Sequence, residues 1–540
     1  MDRLGRISNT LETFITFLSP QWGAKRSMAR EAVRVMNRSD FENRLSSRSA
    51  STGFDALQGN RLNADWNSDS ASADAAISGD LGKLRNRVRD LYRNNPYVAR
   101  LIDAKVDGVI STGLRPQARV RENEVLGILG DAADRFNSEA EQLYRDWSLV
   151  ADAGGRMTFE EIQALAERKY IEDGEIFARL VNVDDDTRPV PLAVMPYEAD
   201  QINTPSDRTD DPRIRNGIQV GEWGEPVGYW VQKTHPGDSR ARKTEAEKDY
   251  EYVPLRNDNG EIQMIHVFRP LRPGQTRGYS PVAPAIGVLQ DLHRYWEAEI
   301  VAARAAACSA MFIKTSSPNN VWNNLNKSTT ENGQTQKITE RTPGMVHYLA
   351  ENEDVTFGDP NRPNQSFGAF TETLVRAVGL AGSLPFELLA LDFSKTNYSS
   401  ARAALIEAHA HFKCDTKMIA DRFCSVVWRE LVRSGVGHDV LPAPTGFTEN
   451  FRQWTRSSWT HPGYQWIDPA REAQGASIRL QEGISTLREI VEARGGDIDE
   501  HLDELKAIQD KLDEMGLELP KPKRTESTTT AIQEEENEPA

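Results

Sequence analysis

The stretch LPFELLALDFSKTNYSSARAALIEAHAHF, residues Leu384–Phe412, combines two segments with opposite physical requirements. Pro385 fixes its own φ angle and directs the residue before it away from helix, so the first segment is predicted to be an irregular loop. This loop is unusually apolar for an exposed segment and needs cover from another surface. Its apolar side chains are Leu388, Leu389, Leu391 and Phe393.

The second segment predicts an unusually long helix. Ser399 or Ser400 is a suitable N-cap, and neither proline nor glycine follows until Gly435. Such a helix would span roughly 50 Å, the width of a whole domain. An apolar loop that leads into so long a helix suggests a large assembly that holds the loop at a special position.

Length and charge limit the class of protein. With 540 residues the chain is too long for a single core, and its formal net charge is −16. A protein that wraps nucleic acid needs a basic excess, so this charge argues against one, but it is compatible with DNA that passes through a channel without being gripped. Three cysteines without paired spacing indicate a reducing compartment. We find neither a membrane-spanning window nor a signal peptide, and expect a cytoplasmic protein.

Hydrophobic periodicity predicts a mainly helical α+β fold. Two helices are expected over residues 83–110, separated by a stop at Asn94-Asn95-Pro96. Helix is expected again over residues 137–173, where Thr158 and Glu161 form a capping box. The period then changes to two, which predicts strands. They cover residues 175–183, 190–197, 217–233 (a hairpin) and 261–268. A further helix is predicted from Pro281 to Ile313, and short helices with N-caps at Thr486 and Asp497 follow the long helix.

Three arginines recur every four residues on one predicted helix: Arg85, Arg89 and Arg93. This spacing puts them on one face, where they would contact phosphates or form a solvated or intersubunit salt-bridged face. The second interpretation is the commoner outcome for such a row of charges.

The motifs of common catalytic sites are missing from the sequence. It contains no phosphate-binding G-x-x-x-x-G-K-[ST], no H-E-x-x-H, no G-x-S-x-G and no C-x-x-C pair. His409, His411 and Cys414 are close in sequence, but residues two apart point to different faces of a helix, so they would not converge on a metal. We therefore expect a structural protein, without enzymatic activity, cofactor or metal.

Four motifs, in order along the chain, resemble the lambda-type portal proteins of tailed bacteriophages. They are RDLYRNNPYVARLID with GVISTGLRP (89–116), HVFRPLRPGQTRGYSPVAPAIGVLQDL (266–292), LPFELLALDFSKTNYSSARAALIE (384–407) and WTHPGYQWIDPAREAQGASIRLQEGISTLREIVEARGGD (459–497). Each motif is modest alone, but the four in register extend over 400 residues.

The resemblance implies a portal-type fold, which we divide along this sequence. The expected parts are an N-terminal, partly disordered arm (1–80), an α/β wing (81–280), a stem helix (281–315), a small clip-like insertion (316–345), a return to the wing and stem (346–384), a tunnel loop (385–398), a long helix (399–435), a helical C-terminal crown (436–519) and a disordered acidic tail (520–540).

The resemblance also implies a function. A dodecameric homo-oligomeric ring at one capsid vertex would form the channel for packaging and ejection of double-stranded DNA. Its partners would be the DNA, without sequence specificity, the terminase large subunit, the major capsid and scaffold proteins, and later the head–tail completion proteins. The ring would belong to the virion and would assemble in the host cytoplasm, without a membrane. Another structural ring of the head and neck, without a DNA-gating loop, is the alternative.

Within the tunnel loop, Leu384 to Leu391 are predicted to pack. The residues expected to touch DNA are Asp392, Phe393, Ser394, Lys395, Thr396 and Asn397. Lys395 is the one cation among them. It would touch phosphates in passing or would be an exposed turn lysine without a function.

Overall fold

The structure is a computed structural model, and it describes residues 70–123, 129–238, 249–307, 311–314, 346–349, 367–464 and 469–517. From Ser72 onward these residues belong to one compact unit. Most of the predicted N-terminal arm, the whole clip-like insertion and the acidic tail lie outside the described residues. None of the described helices is both long enough and apolar enough to cross a bilayer.

Helices make up most of the described fold. They are α1 (Ala73–Ile77), α2 (Leu81–Asn94), α3 (Pro96–Val109), α4 (Gly130–Ser148), α5 (Phe159–Asp173), α6 (Ile286–Ala307), α7 (Phe367–Gly382), α8 (Phe386–Ala390), α9 (Tyr398–Ile419), α10 (Ser425–Gly437), α11 (Phe451–Trp454), α12 (Pro469–Gln481), α13 (Leu487–Ala493) and α14 (Ile498–Glu514).

The strands form four small sheets. They are β1 (Arg115–Ala118), β2 (Glu175–Asn182), β3 (Leu192–Tyr197), β4 (Ile214–Arg215), β5 (Ile218–Val220), β6 (Pro226–Gln232), β7 (Tyr250–Pro254), β8 (Met264–Phe268), β9 (Met311–Lys314), β10 (Val346–Leu349) and β11 (Ser457–Thr460). One sheet has the order β3-β2-β8 and another β4-β5-β6-β7, both antiparallel. β1 pairs with β11 antiparallel, and β9 pairs with β10 in parallel. The mainly helical α+β fold predicted from the sequence is confirmed.

Local signals explain where several helices begin and end. Asn95 ends α2 and caps α3, because its side chain accepts hydrogen bonds from the amides of Tyr97 and Val98, and Pro96 occupies the first helical position. Thr158 and Glu161 form the predicted capping box. Gly174 ends α5 at a φ of 89°, and a Cβ there would lie 2.0 Å from the backbone of Tyr279. Only glycine fits this position.

The main core lies where α4, α5 and α10 meet. Trp147, Phe159, Phe423 and Trp428 are fully buried there, and the indole of Trp147 donates a 2.7 Å hydrogen bond to the carbonyl of Leu192. Large aromatic side chains bury much apolar area, and this hydrogen bond satisfies the polar atom that burial of the indole would otherwise leave unpaired. This core fixes the C-terminal half of the long helical run.

Three details of the predicted helices need correction. The helix predicted from Pro281 to Ile313 begins with a 3₁₀ turn, continues as α6 and ends at Ala307, and the chain is a strand from Met311. The long helix is capped by Asn397 rather than by Ser399 or Ser400. It runs through a π-helical segment, Ala420–Cys424, directly into α10, so the helical run extends from Tyr398 to Gly437.

Candidate functional site

The base of the predicted tunnel loop is ordered by packing. Pro385 leads into the short helix α8, so this part of the loop is helical and not irregular as the sequence indicated. Leu384 and Leu389 are buried, and the amide of Leu384 donates a 2.9 Å hydrogen bond to the carbonyl of Gly379. A Cβ at Gly379 would lie 2.5 Å from the Leu384 carbonyl oxygen, so glycine permits this close approach. The guanidinium of Arg100 adds a hydrogen bond to the carbonyl of Leu388.

The loop tip, residues 392–397, begins after a backbone reversal at Leu391, whose φ is 53°. An oxygen of Asp392 accepts a hydrogen bond from the amide of Ser394, and hydrogen bonds from Ser394 lower the pKa of this carboxyl. The Thr396 hydroxyl donates to the carbonyl of Phe393 at 3.0 Å. Asn397 then accepts from the amide of Ser400 and starts α9. The tip is therefore a turn held by its own short polar side chains.

One ion pair joins the loop tip to α7. The Lys395 ammonium lies 2.6 Å from a carboxylate oxygen of Glu372, and Arg376 binds the other oxygen of that carboxylate at 2.8 Å. The hydrogen bonds from Lys395 and Arg376 lower the pKa of Glu372. Arg376 also lies over the ring of Phe386, with its guanidinium carbon 4.6 Å from the ring centroid. The structure thus gives Lys395 an intrachain partner that the sequence did not indicate.

The apolar side chains of the loop divide into two groups. Leu389 is buried against the core, whereas 63% of Leu391 and 42% of Phe393 are exposed. Leu389 thus packs within the single chain, whereas packing of Leu391 against a neighbouring copy stays a prediction. Leu391 and Phe393 remain available for a surface outside the described residues.

Arg85 and Arg89 point inward, where carboxylates of the same chain bind them. Arg85 lies 2.5 Å from Glu175, and Arg89 makes a bidentate pair with Asp173 at 2.7 and 2.8 Å and also contacts Asp200 at 2.5 Å. Their geometry disfavours the phosphate or intersubunit role predicted from their spacing, because carboxylates at the end of α5, at the start of β2 and in the 3₁₀ turn Ala199–Gln201 occupy both guanidinium groups. Only Arg93 keeps the predicted exposure.

Glu175 is the centre of this buried network. Its fully buried carboxylate accepts hydrogen bonds from Arg85, Arg277 and His266 and from the backbone amide of Gly278. Burial alone would raise the pKa of Glu175, but the charge of Arg277, the hydrogen bond from His266 and the charge of Arg85 hold it well below its usual range. The network joins α2 and β2 to the segment that leads into α6.

Arg277 was missed by the sequence analysis. Its guanidinium also donates to the backbone carbonyls of Ala199, Ile202 and Asn216, so every part of the planar group is used. The partners are 61 to 102 residues away in sequence, and the run R-P-G-Q-T-R-G has no periodicity that would reveal them.

Three side chains beside this network have metal-ligand chemistry. Oxygen and nitrogen atoms of Glu198, Asp200 and His235 lie within 4.8 Å of one another. Arg89 lies 2.5 Å from Asp200 and 3.5 Å from Glu198, so a guanidinium already supplies the positive charge. The arrangement favours an ion-pair cluster over a cation site.

Comparison with known proteins places the chain in a class of viral structural proteins. The family model described as "Phage portal protein, lambda family" matches residues 59–415, which is more than half of the chain. This range contains three of the four motifs, including the loop tip, and the fourth motif lies beyond it. The chain belongs to the lambda family of phage portal proteins.

Named relatives extend the similarity over most of the chain. The probable portal protein of Halomonas phage phiHAP-1 is 24% identical over 478 residues, which are 86% of this chain and 88% of the relative. Portal protein B of Escherichia phage lambda is 24% identical over 459 residues, 81% of this chain and 85% of the relative. A chain from the neck of the native GTA particle, computed with C12 symmetry, has a TM-score of 0.40 at 15% identity and covers 76% of this chain and 91% of that chain.

Proposed function

We propose that this portal protein assembles into a dodecameric ring at one capsid vertex and forms the channel through which double-stranded DNA is packaged and ejected. The observation that supports this proposal most is the pairing of an exposed loop tip with the helical run from Tyr398 to Gly437. A ring would repeat this pair around an axis and place the tips at one level of the channel.

The charge of the loop tip suits a channel that must not hold its DNA. Asp392 and Lys395 are its two charged residues, and Lys395 is also neutralised by Glu372. Tight binding of phosphates would act as a brake, because each ion pair formed must be broken for the duplex to advance. We therefore propose that residues 392–397 contact DNA weakly and in a salt-sensitive way. This contact would have no sequence specificity and would involve no enzymatic turnover.

Neighbouring subunits supply the cover that the single chain does not provide. Leu391 and Phe393 are exposed beside the loop base, and in a closed ring each copy would pack against the adjacent copy. Arg93 keeps a role in phosphate or intersubunit contact in this proposal, because 69% of its side chain is exposed and its contact with Asp90 is long, at 3.7 Å.

The parts of the ring follow the described elements. We place the wing (81–280) in α2–α5 with β1–β8, the stem (281–315) at α6, the tunnel loop (385–398) between α7 and α9, and the crown (436–519) in α11–α14 with β11. The terminase large subunit docks during packaging and head–tail completion proteins follow, while major capsid and scaffold proteins surround the ring. Assembly takes place in the host cytoplasm, and the mature ring belongs to the virion.

Deletion of residues 391–395 tests the role of the loop tip. Glu372 and Asn397, which flank the deleted segment in space, would remain, so we expect rings of normal size that package DNA but retain it poorly. Packaged genome length and DNA retention would be measured in assembled particles, with the exposed substitution Val440→Ala as the control. Loss of rings would show that the segment is structural, and full retention would favour the alternative, a head–neck ring without a DNA-gating loop.

A further inference from the structure

The strand pair β1–β11 has one outer edge that the chain itself closes. The two strands are antiparallel, and the amide of Arg119 donates a 2.8 Å hydrogen bond to the carbonyl of Arg456. Because hydrogen-bonded pairs alternate along an antiparallel ladder, the backbone groups of Pro116 and Ala118 point away from β11. Proline has no amide hydrogen to donate, and the amide of Ala118 donates a 2.7 Å hydrogen bond to Glu141 of α4. The outer edge of β1 is therefore closed to a further strand.

The outer edge of β11 is open. The same alternation directs the amides and carbonyls of Ser457 and Trp459 away from β1. Among the described residues, no group is hydrogen-bonded to these two amides and two carbonyls. Unpaired backbone groups along a strand edge are a template for another strand, and a sheet of only two strands is marginally stable by itself. A third strand would therefore add to this pair on the β11 side.

A cavity of about 480 Å³ lies along this open edge, and Ser457, Ser458 and Trp459 all line it. Successive residues of a strand point to opposite faces, so a cavity that all three line lies beside the strand and not over one of its faces. Another wall is formed by α9 and the π-helical segment, from Lys413 to Asp421. Pockets that hold ligands have volumes of roughly 300–1,000 Å³, so the space beside β11 is sufficient for an added segment.

The lining of the cavity contains one cation without a carboxylate partner. Lys417 lies 2.7 Å from Asp421, and Glu492 lies 2.9 Å from Arg119. No carboxylate of the described residues forms an ion pair with Lys413, which also lines the cavity. An extended segment that combines strand-forming residues with carboxylates would therefore suit this site.

The C-terminal tail of this chain contains such a segment. Residues 528–533 read TTTAIQ, and β-branched side chains such as Thr and Ile favour strands. Glu534–Glu536 follow directly and supply three carboxylates. The segment contains neither proline nor glycine, so each of its backbone amides is available for pairing.

The tail is long enough to reach the cavity from the end of α14. Glu492 and Ala493 of α13 line the cavity, and α14 begins shortly after them, at Ile498. The 17 residues of α14 carry the chain roughly 25 Å along the helix axis. Residues 518–527 span up to roughly 33 Å when extended, so they can return residue 528 to β11.

We propose that residues 528–533 bind along the open edge of β11 in the same chain as a third strand, with Glu534–Glu536 beside Lys413. Strand addition gives the amides and carbonyls of Ser457 and Trp459 their missing partners, and the glutamates neutralise the free cation of the cavity. This inference concerns the C-terminal region and stands independently of the proposed DNA channel.

Residue-resolved hydrogen–deuterium exchange tests the proposal on the full chain and on a chain that ends at Glu526. The edge amides, those of Ser457 and Trp459, should exchange slowly in the full chain and at least tenfold faster in the shortened chain. The amide of Ser458 faces β1 and is the internal control, with an expected change of less than about threefold. Equal edge-amide rates in the two chains, or equal acceleration of all three amides, would overturn the proposal.

Proline substitutions in the full chain locate the added strand. Alternate amides of a strand face its neighbour, so one of two adjacent prolines must remove a hydrogen bond to β11. Thr529→Pro with Thr530→Pro should therefore accelerate the edge amides as much as the deletion does. Asn537→Pro with Glu538→Pro, beyond the segment, is the matched control and should leave their rates unchanged. Equal effects of the two pairs of substitutions would contradict the proposal.

Charge reversal tests the contact with the cavity cation. Lys413→Glu should accelerate exchange of the edge amides, because it repels the carboxylates of the tail. Addition of Glu534→Lys, Glu535→Lys and Glu536→Lys to the same chain should restore slow exchange. Lys83→Glu, at an exposed lysine of α2, is the control and should have no effect. Failure of the restoration would contradict the assigned pairing.

A mixed assembly distinguishes the chain's own tail from that of a second copy. Isotope-labelled chain that ends at Glu526 would be combined with an excess of unlabelled full chain. We expect the edge amides of the labelled chain to exchange as fast as they do alone. Slow exchange would show that a neighbouring copy supplies the strand and would overturn the assignment to the same chain.

Discussion

The ammonium of Lys395 lies 2.6 Å from the carboxylate of Glu372, which tethers the loop tip to α7. The contact spans 23 residues of sequence and is the one ion pair that the structure gives to Lys395. The ion pair holds the loop tip beside α7, and the Lys395 side chain stays exposed.

Substitution Glu372→Gln should release the tip. The pair is exposed, so its loss should change the free energy of unfolding by less than about 1 kcal/mol. Hydrogen–deuterium exchange of the peptide that covers residues 391–397 should nevertheless become faster, because the tip loses its connection to α7. Glu407→Gln, at an exposed glutamate of α9, is the control. Unchanged exchange in the Glu372 variant would show that the turn at residues 391–397 is stable without the ion pair.

Substitution Arg277→Met tests the buried network around Glu175. The variant leaves Glu175 in the interior with less compensating charge and leaves three backbone carbonyls without their donor, so we expect a loss of about 3 kcal/mol in the free energy of unfolding. Chemical denaturation measures it. Arg93→Met removes an exposed arginine and should cost less than about 0.5 kcal/mol. Equal losses of unfolding free energy in the two variants would contradict the role of Arg277 as a stabilising partner of Glu175.

Glu167 gives the chain a pH dependence of unusual sign. It is fully buried, and neither carboxylate oxygen has a hydrogen-bond partner among the described residues. Burial and the nearby charge of Asp415 raise its pKa to about 8, although Lys105 and Arg269 oppose this shift. Asp415, on α9, lies 2.9 Å from Lys105 and 2.7 Å from Arg269.

The direction of the effect follows from proton linkage. Between the unfolded pKa of 4.5 and about 8, the folded chain holds a proton that the unfolded chain has lost. The free energy of unfolding should therefore fall as pH rises through this window, by up to about 1.4 kcal/mol per pH unit. Glu167→Gln removes this contribution, so the variant should gain stability over the unaltered chain as pH rises from 5 to 8.

Urea denaturation across that pH range measures the difference. Glu449→Gln, at an exposed glutamate, is the matched control and should follow the unaltered chain at every pH. Parallel stability profiles for the Glu167 variant and the unaltered chain would show that the carboxyl does not titrate in this window.

Sequence reasoning succeeded where the signal was local. The capping boxes at Thr158 and Thr486 and the strand periodicity of β2, β3, β6 and β8 each depend on residues within a few positions of one another. The long helix was also visible, because no proline or glycine occurs between Ser400 and Gly435, whereas Pro385 begins the short helix α8 and not the irregular segment that it predicted.

It failed where a distant segment decides the outcome. The row of Arg85, Arg89 and Arg93 looks solvated in sequence, but Glu175 and Asp200 approach it from more than 80 residues away and bind the first two. The sequence likewise did not reveal that Lys395 pairs with Glu372, which lies 23 residues away. The N-cap was missed by two or three residues because Asn397, Ser399 and Ser400 are all good caps, and only the path of the turn selects among them.

The central claim is that copies of this chain close into a ring around a DNA channel. Cryo-electron microscopy of the purified chain tests it most directly. The account predicts closed rings with an axial channel at least roughly 20 Å wide, enough for a duplex, with residues 392–397 on its lining. Absence of rings, a channel too narrow for a duplex, or loop tips on the outer rim would contradict it.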